Sequence, residues 1–179
     1  LQRVDQKSVG RFKREFRSLA HVHHPNLIRL YDLGHAPDGW FLTMEYLDGL
    51  TLLDYIDGNK SRSGTLQRAG ATIGADAVDL PRIASVFHQL ATGVRALHDA
   101  GVLHRDLKPS NVALDLSFEP RVMDFGLARL VEQDSEMTLT GMAIGSPSYM
   151  SPEQAAGNVR EVSAASDVYA LGAILYETL

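Results

Sequence analysis

Apolar residues recur at helical spacing in two long segments of the chain. Between Pro81 and Leu97 they return every three or four positions, Pro81 suits a first helical turn, and Gly101 supplies a stop. A second helix is predicted from Ser166 to Leu179, with an apolar face formed by Val168, Leu171, Ile174 and Leu175. Both patterns indicate helices that pack one side against a core.

The N-terminal part of the chain predicts one helix followed by a hairpin. The helix is expected from about Ser8 to His21, where apolar and basic residues alternate at helical spacing. Leu27 to Leu33 and Trp40 to Tyr46 are short apolar segments on either side of a polar turn at Gly34 to Gly39. This arrangement is typical of two antiparallel strands.

The middle of the chain combines short elements with a segment that has no period. Thr51 to Ile56 predicts a short helix, while Val112 to Leu114 and Arg121 to Met123 predict brief strands. From about residue 57 to residue 80, small and polar residues dominate and no apolar period persists. We therefore expect a flexible surface insertion there.

The composition narrows the classes of function. With 179 residues and 45% hydrophobic content, the chain can bury a core, and its formal net charge of −5 leaves no basic surplus for nucleic-acid phosphates or anionic lipid. The absence of cysteine excludes disulfides, thiolate zinc sites and cysteine nucleophiles. No apolar run has the length of a membrane span or the character of a signal peptide. We expect a cytoplasmic chain without nucleic-acid or membrane contacts.

Chemistry concentrates in one segment, His104 to Asn111, which reads HRDLKPSN, and in the Asp-Phe-Gly sequence that begins at Asp124. Phosphoryl transfer to an alcohol needs a group near the incoming hydroxyl, cations on the transferring phosphate and ligands for those cations. Asp106 can accept the hydroxyl proton, and Lys108 can neutralise charge on the phosphate. Asn111 and Asp124 offer the hard oxygen ligands that magnesium prefers. The pattern predicts phosphoryl transfer from a magnesium-bound nucleotide.

Several further segments stand in the order found in one known family. They are Glu15 in the first helix, HPN from His24, MEYLDG from Met44, HRDLKPSN, DFG, GSPSYMSPE from Gly145 and SDVYALG from Ser166. With them the chain resembles the eukaryotic-type protein kinase family, in the Ser/Thr branch that bacteria also carry. The resemblance implies an α+β two-lobe fold over residues 1–179, with a partial N-lobe and hinge in 1–47 and a partial, mostly helical C-lobe in 48–179.

The resemblance also implies roles in nucleotide binding. Glu15 would be the helix C glutamate that pairs with the ATP-binding lysine, or else a solvated charge on a basic helix face. Met44 would be the gatekeeper, and it also fits a buried strand end. Ala113 would lie under the adenine. The hinge that binds adenine through its main chain would consist of Glu45, Tyr46 and Leu47.

Other family positions concern regulation and internal support. Arg105 precedes the proposed base, as in kinases switched on by a phosphate in the activation loop. Thr138 and Thr140 would be the acceptors of that phosphate, although both also fit ordinary loop hydroxyls. Asp167 resembles the aspartate that anchors the catalytic loop from beneath. The apolar spine that connects the lobes would consist of Leu19, Leu30, His104 and Phe125.

The implied activity is that of an ATP-dependent serine/threonine kinase, with ATP and Mg²⁺ as cofactors. Its partners would be protein substrates with Ser or Thr acceptors, including the kinase itself through autophosphorylation. The 179 residues contain no glycine-rich loop and no Val-Ala-x-Lys strand before Glu15. We therefore expect an internal fragment of a kinase domain that has little activity alone. The alternative is a pseudokinase that serves as a scaffold or binding module.

Overall fold

A computed structural model describes residues 16–37, 39–60, 79–125 and 147–179. Three of the predicted functional residues, Glu15, Thr138 and Thr140, lie outside these ranges. So do residues 61–78, which form most of the predicted insertion. None of the helices within the described ranges is long and apolar enough to cross a membrane.

The described elements are short strands and helices, which follow one another in groups. Residues 16–20 are helical, within the helix predicted for 8–21. Short 3₁₀ turns occur at Pro109–Asn111 and Pro147–Tyr149. The remaining elements are β1 (Leu30–Ala36), β2 (Gly39–Met44), β3 (Gly49–Thr51), α1 (Leu52–Lys60), α2 (Leu80–Asp99), β4 (Val112–Asp115), β5 (Pro120–Val122), α3 (Pro152–Ala155) and α4 (Ala164–Thr178).

The predicted hairpin is formed by β1 and β2. The two strands are antiparallel, with Leu30 opposite Met44 and Ala36 opposite Gly39. The first strand begins at Leu30 and not at Leu27, because the backbone before it turns to a different partner. Leu27 bridges to Val122, and the Ile28 N–H donates to the Val122 carbonyl at 2.9 Å. This segment therefore ties the hairpin to β5.

The second sheet has three antiparallel strands in the order β3-β4-β5. Its outer strand β3 was not predicted, and Thr51, expected to begin a helix, is its last residue. The strand is very short and begins with a glycine, so it carries no alternating pattern. Gly49 is required there, because a Cβ would lie 2.0 Å from the carbonyl oxygen of Leu114.

Helix α1 extends further towards the C-terminus than predicted, so the predicted insertion begins later than residue 57. Thr51 and Asp54 cap the helix reciprocally: the Thr51 N–H donates to Asp54 Oδ2, and the Asp54 N–H donates to Thr51 Oγ1, both at 3.1 Å. The helix then continues through residues 57–60, which the prediction assigned to the insertion. On the C-terminal side, Asp79 and Leu80 already belong to the start of α2.

Helix α2 confirms the clearest prediction from the sequence. Asp79 caps it by accepting the Arg82 N–H at 3.1 Å, and Pro81 lies in the first turn. The helix ends at Asp99, and Gly101 follows with a φ of 75°. Its apolar face packs against β5 and α4. The buried residues of that face are Ile83, Val86, Leu90, Gly93, Val94 and Leu97.

Helix α4 buries only part of the predicted face: Ile174 is 0% exposed and Leu171 packs against the core, whereas Val168 lies outside it. Val168 is 60% exposed. The buried residues are Ser166, Asp167, Ala170, Ile174 and Thr178. A count of apolar residues misses this face because two of its members are polar and bond to other elements. With its two small antiparallel sheets and its mostly helical C-terminal part, the molecule has the predicted α+β class.

Candidate active site

Asp106, Lys108 and Asn111 meet in a single cluster. Lys108 Nζ lies 2.7 Å from Asp106 Oδ2. Asn111 Nδ2 donates to the main-chain carbonyl of Asp106 at 2.8 Å and approaches Oδ2 at 3.3 Å. The 3₁₀ turn at Pro109–Asn111 closes with the Asn111 N–H on the Lys108 carbonyl at 2.9 Å, which returns Asn111 towards Asp106.

The main chain before Asp106 is anchored by Asp167 of α4. This carboxylate is 2% exposed and accepts the His104 N–H at 2.9 Å and the Arg105 N–H at 2.8 Å. His98 Nε2 of α2 lies 2.8 Å from the same carboxylate. Because a buried carboxylate needs donors for its oxygens, these contacts hold α2, α4 and the loop together.

His104 is a buried, neutral link between the two aspartates of the site. Its Nδ1 accepts the Asp106 N–H at 3.3 Å, and its Nε2 lies 3.0 Å from the Met123 carbonyl. An amide can only donate, so Nδ1 carries no proton and Nε2–H donates. Desolvation by burial lowers the pKa of His104, although Asp167 acts in the opposite direction. These contacts agree with the structural role expected for this histidine.

Asp124 follows β5, and Asn111 precedes β4. Because these strands pair with Val112 opposite Val122, both residues reach the same end of the sheet. The Met123 N–H donates to the Asn111 carbonyl at 2.9 Å, which joins the two segments directly. Asp124 itself has a φ of 60°, in the left-handed region that few residues other than glycine adopt.

The chemistry of these donors fits magnesium. Asn111 uses its amide nitrogen on Asp106, so its carbonyl oxygen faces away from that bond. Asp124 adds a carboxylate that is half-buried. In the described part of the chain, no group of three or more His, Asp or Glu side chains could hold a metal ion. Magnesium often takes only one or two protein ligands and completes its shell with water and nucleotide phosphate.

The four residues of the predicted spine are all buried. Leu19 is 4% exposed, Leu30 is 6%, Phe125 is 1% and His104 is 0%. The three apolar members belong to one continuous core. Burial of Phe125 places the residue after Asp124 in that core.

Glu45, the first residue of the predicted hinge, forms an ion pair that the sequence did not predict. The Glu45 side chain forms an ion pair with Arg121 of β5, with Nη1 at 2.8 and 3.0 Å from the two carboxylate oxygens. The Glu45 N–H donates to the Arg29 carbonyl at 2.8 Å. Ala113 lies directly opposite Arg121 in the sheet, and Tyr46 is 87% exposed. Nothing in the local sequence pairs positions this far apart.

A second missed contact involves Gln154 of α3. Its Nε2 donates to the Arg105 carbonyl at 2.7 Å. The sequence Ser151-Pro-Glu-Gln154 is a capping-box signature, and the structure forms that box. Next to it, the Ser166 hydroxyl donates to Glu153, and this bond is the main cause that lowers the pKa of Glu153. The signature predicts the cap but not the bond to the catalytic loop.

The sequence model of the protein kinase domain family matches residues 1–179. The chain belongs to the protein kinase family. It is 40% identical over 175 residues to the DNA damage-responsive serine/threonine-protein kinase RqkA of Deinococcus radiodurans, covering 97% of this chain and 24% of that protein. It is 34% identical over 175 residues to the serine/threonine-protein kinase PrkC of Bacillus subtilis, covering 98% and 24%.

A third relative is the serine/threonine-protein kinase pkn2 of Myxococcus xanthus. It is 38% identical over 174 residues, which cover 94% of this chain and 19% of that protein. The chain therefore spans about a fifth to a quarter of the length of these kinases. The family match confirms the predicted partial two-lobe kinase fold.

Proposed function

We propose that this kinase chain takes part in the transfer of the γ-phosphoryl group of Mg-ATP to serine or threonine hydroxyls of proteins. The observation that carries the proposal is the cluster of Asp106, Lys108 and Asn111, joined by one main-chain bond to Met123, the residue before Asp124. The three relatives named above are all serine/threonine-protein kinases, which supports the same acceptor class.

Asp106 is the proposed acceptor of the hydroxyl proton. Among the described residues, Lys108 and Asn111 both contact its Oδ2, which leaves Oδ1 for the incoming hydroxyl. The pair is partly open to solvent, since the side chains of Lys108 and Asp106 are 26% and 24% exposed. Lys108 can therefore turn towards a transferring phosphate and neutralise part of its charge.

Nucleotide binding falls to two groups of residues. Mg-ATP supplies the phosphoryl group and the cation that neutralises its charge, and Asn111 and Asp124 are the proposed ligands of that cation. At the hinge, the Glu45 N–H is already bonded to Arg29, so adenine would use the Glu45 carbonyl and the main chain of Tyr46 and Leu47. Met44 would border this pocket and Ala113 would form its floor.

The remaining assignments rest on the family resemblance. Glu15 is the proposed partner of an ATP-binding lysine that none of the 179 residues supplies. Arg105 is the proposed contact for a phosphate on Thr138 or Thr140, placed there by autophosphorylation or by another kinase. We expect little phosphoryl transfer from the 179 residues alone, because no glycine-rich loop covers the phosphates.

The test compares the 179-residue chain with the complete protein in a phosphotransfer assay that uses casein as acceptor. We expect transfer from the complete protein and at most a trace from the shorter chain. Asp106→Asn should lower kcat by roughly 10²- to 10⁴-fold, the range for losing a general base. Asp99→Asn is the matched control, because Asp99 is an exposed carboxylate on α2 that is 70% exposed.

Three outcomes would contradict parts of this proposal. Equal, Asp106-dependent transfer from both chains would refute the claim that the 179 residues are insufficient. Full activity of Asp106→Asn would remove Asp106 as the base. A complete protein that binds Mg-ATP without transferring phosphate would favour the pseudokinase alternative.

A further inference from the structure

The peptide group between Arg105 and Asp106 lies at the centre of three hydrogen bonds. The Arg105 N–H on its N-terminal side donates to Asp167 Oδ1 at 2.8 Å. The Asp106 N–H donates to His104 Nδ1 at 3.3 Å, and the Arg105 carbonyl accepts from Gln154 Nε2 at 2.7 Å. The bond from Gln154 is the shortest of the three.

Gln154 is itself held in one orientation by Ser151. Its Oε1 lies 3.1 Å from both the main-chain N and the hydroxyl of Ser151, and Ser151 is 0% exposed. The Ser151 N–H can only donate, so the oxygen of the Gln154 amide must face it. The amide nitrogen then faces the Arg105 carbonyl, and the two ends of the amide cannot exchange without losing both bonds.

The backbone that Gln154 contacts adopts an unfavourable conformation. Arg105 has a φ of 70°, a left-handed value that is strained for a non-glycine residue and persists only where the surrounding structure enforces it. The carbonyl of Arg105 and the N–H of Asp106 belong to the same rigid peptide plane. Any rotation that relaxes Arg105 therefore also turns the backbone from which the Asp106 side chain projects.

We propose that Gln154 is a positioning residue for Asp106. It fixes the peptide plane before Asp106 and links that plane to Ser151, the N-cap of α3. Through this one side-chain amide, the conformation of residues 147–155 helps to fix the position of the proposed base. The inference rests on the proposed function only in the role that it gives to Asp106.

The experiment uses Gln154→Glu and Gln154→Met in the complete protein. Both variants keep the length of the side chain and lose the amide donor. The matched control is Asn158→Asp, the same amide-to-carboxylate change a few residues on, where the Asn158 side chain contacts Glu161 on the surface. The measurements are kcat with casein at saturating Mg-ATP, KM for ATP, the thermal unfolding midpoint and amide hydrogen exchange in residues 104–108.

We expect kcat to fall about tenfold in both Gln154 variants, which corresponds to about 1.4 kcal/mol, because the Arg105 carbonyl loses its donor and the peptide plane before Asp106 is less firmly held. KM for ATP should stay within about twofold, because the side-chain hydrogen bonds of Gln154 in the described ranges reach Ser151 and Arg105 and none of the proposed hinge residues. Hydrogen exchange at Asp106 should accelerate. Asn158→Asp should match the wild type in all four measurements.

Two results would overturn the inference. Unchanged kcat together with unchanged exchange in residues 104–108 would show that Gln154 does not hold the loop. Parallel losses of kcat, ATP affinity and thermal stability would show that it serves only the fold. Exchange can be measured whether or not phosphate is transferred, so an inactive wild type would count against the proposed function and leave this test intact.

Discussion

The loop that carries Asp106, the proposed base, and the proposed hinge at Glu45 to Leu47 are held in opposite ways. In the loop, Gln154 of α3 and Asp167 of α4 contact the main chain before Asp106, and Asp167, which is 2% exposed, is itself contacted by His98 of α2. At the hinge, Glu45 extends its own side chain outward to Arg121, and these side chains are 25% and 26% exposed. A buried anchor tolerates little change, whereas a partly solvated pair can adjust to a ligand. The difference predicts a rigid loop beside an adaptable hinge.

The largest expected effect is the loss of the buried anchor. Asp167→Ala leaves the His104 and Arg105 N–H groups without an acceptor and removes the partner of His98, so we expect a loss of about 3 kcal/mol in the free energy of unfolding. Chemical denaturation measures it. The exposed Asp99→Ala on α2 is the control and should cost less than about 1 kcal/mol. Similar losses in the two variants would show that Asp167 anchors the loop no more strongly than an exposed carboxylate supports α2.

An intermediate effect concerns the pH dependence of the loop. Burial lowers the pKa of His104 in the folded state. Below about pH 6.5, the ordinary pKa of a histidine in the unfolded chain, His104 therefore binds more protons in the unfolded state than in the folded state. Stability is therefore complete above that pH and falls as the pH drops below it, by at most about 1.4 kcal/mol per pH unit from one group. The fall should be smaller in His104→Asn.

The control for this pH dependence is His88→Asn, since His88 is exposed on α2. Denaturation curves at pH 7, 6 and about 5 compare the slopes, a range chosen around the unfolded histidine pKa. His88→Asn should retain the wild-type slope. If His104→Asn retained it too, proton uptake would have to occur elsewhere in the fold.

The smallest expected effect lies at the hinge. Arg121→Met should lower the free energy of unfolding by less than about 1 kcal/mol, because the pair with Glu45 is partly solvated. In addition, Arg121 Nε is buried without a partner among the described residues, and methionine removes that unsatisfied group.

The control for the hinge is Arg95→Met, which breaks an exposed pair with Asp99 on α2. Denaturation should give small losses for both arginine variants, while KM for ATP should rise only in Arg121→Met, because Arg121 contacts Glu45 of the proposed hinge and Arg95 contacts Asp99 of α2. A loss in Arg121→Met as large as that in Asp167→Ala would show that hinge and loop are equally rigid.

The same contrast explains how far the sequence could be interpreted. Helix α2 was predictable because its apolar period, Pro81 and Gly101 all act locally, whereas its N-cap Asp79 had been assigned to the insertion. The cluster around Asp106 was predictable because Asp106, Lys108 and Asn111 all lie in one short segment, HRDLKPSN. By contrast, Gln154 bonds to Arg105, 49 residues away in the sequence, and Glu45 pairs with Arg121, 76 residues away. Only the packing of α3 and β5 brings them together.

The same limit applies to β3 and α4. Gly49 and Thr51 carry no strand pattern, yet they pair with Asp115 and Ala113 of β4, and only a glycine at position 49 allows the close approach to the Leu114 carbonyl. On α4, the buried positions include Ser166 and Asp167, whose polar groups are satisfied by other elements. Apolar spacing therefore assigned Val168 to the wrong side. Roles for Glu15, Thr138 and Thr140 remain predictions.

The left-handed backbone at Asp124 favours one particular substitution, aspartate to glycine, during evolution. At a φ of 60°, glycine would relieve backbone strain of roughly 1 kcal/mol, and a single base change converts an aspartate codon into a glycine codon. That step would make the chain more stable while deleting the carboxylate. If Asp124 binds a metal ion as proposed, a lineage that no longer needs that ion would have an easy path away from aspartate, and glycine at this position in a descendant would mark the loss of the proposed catalysis.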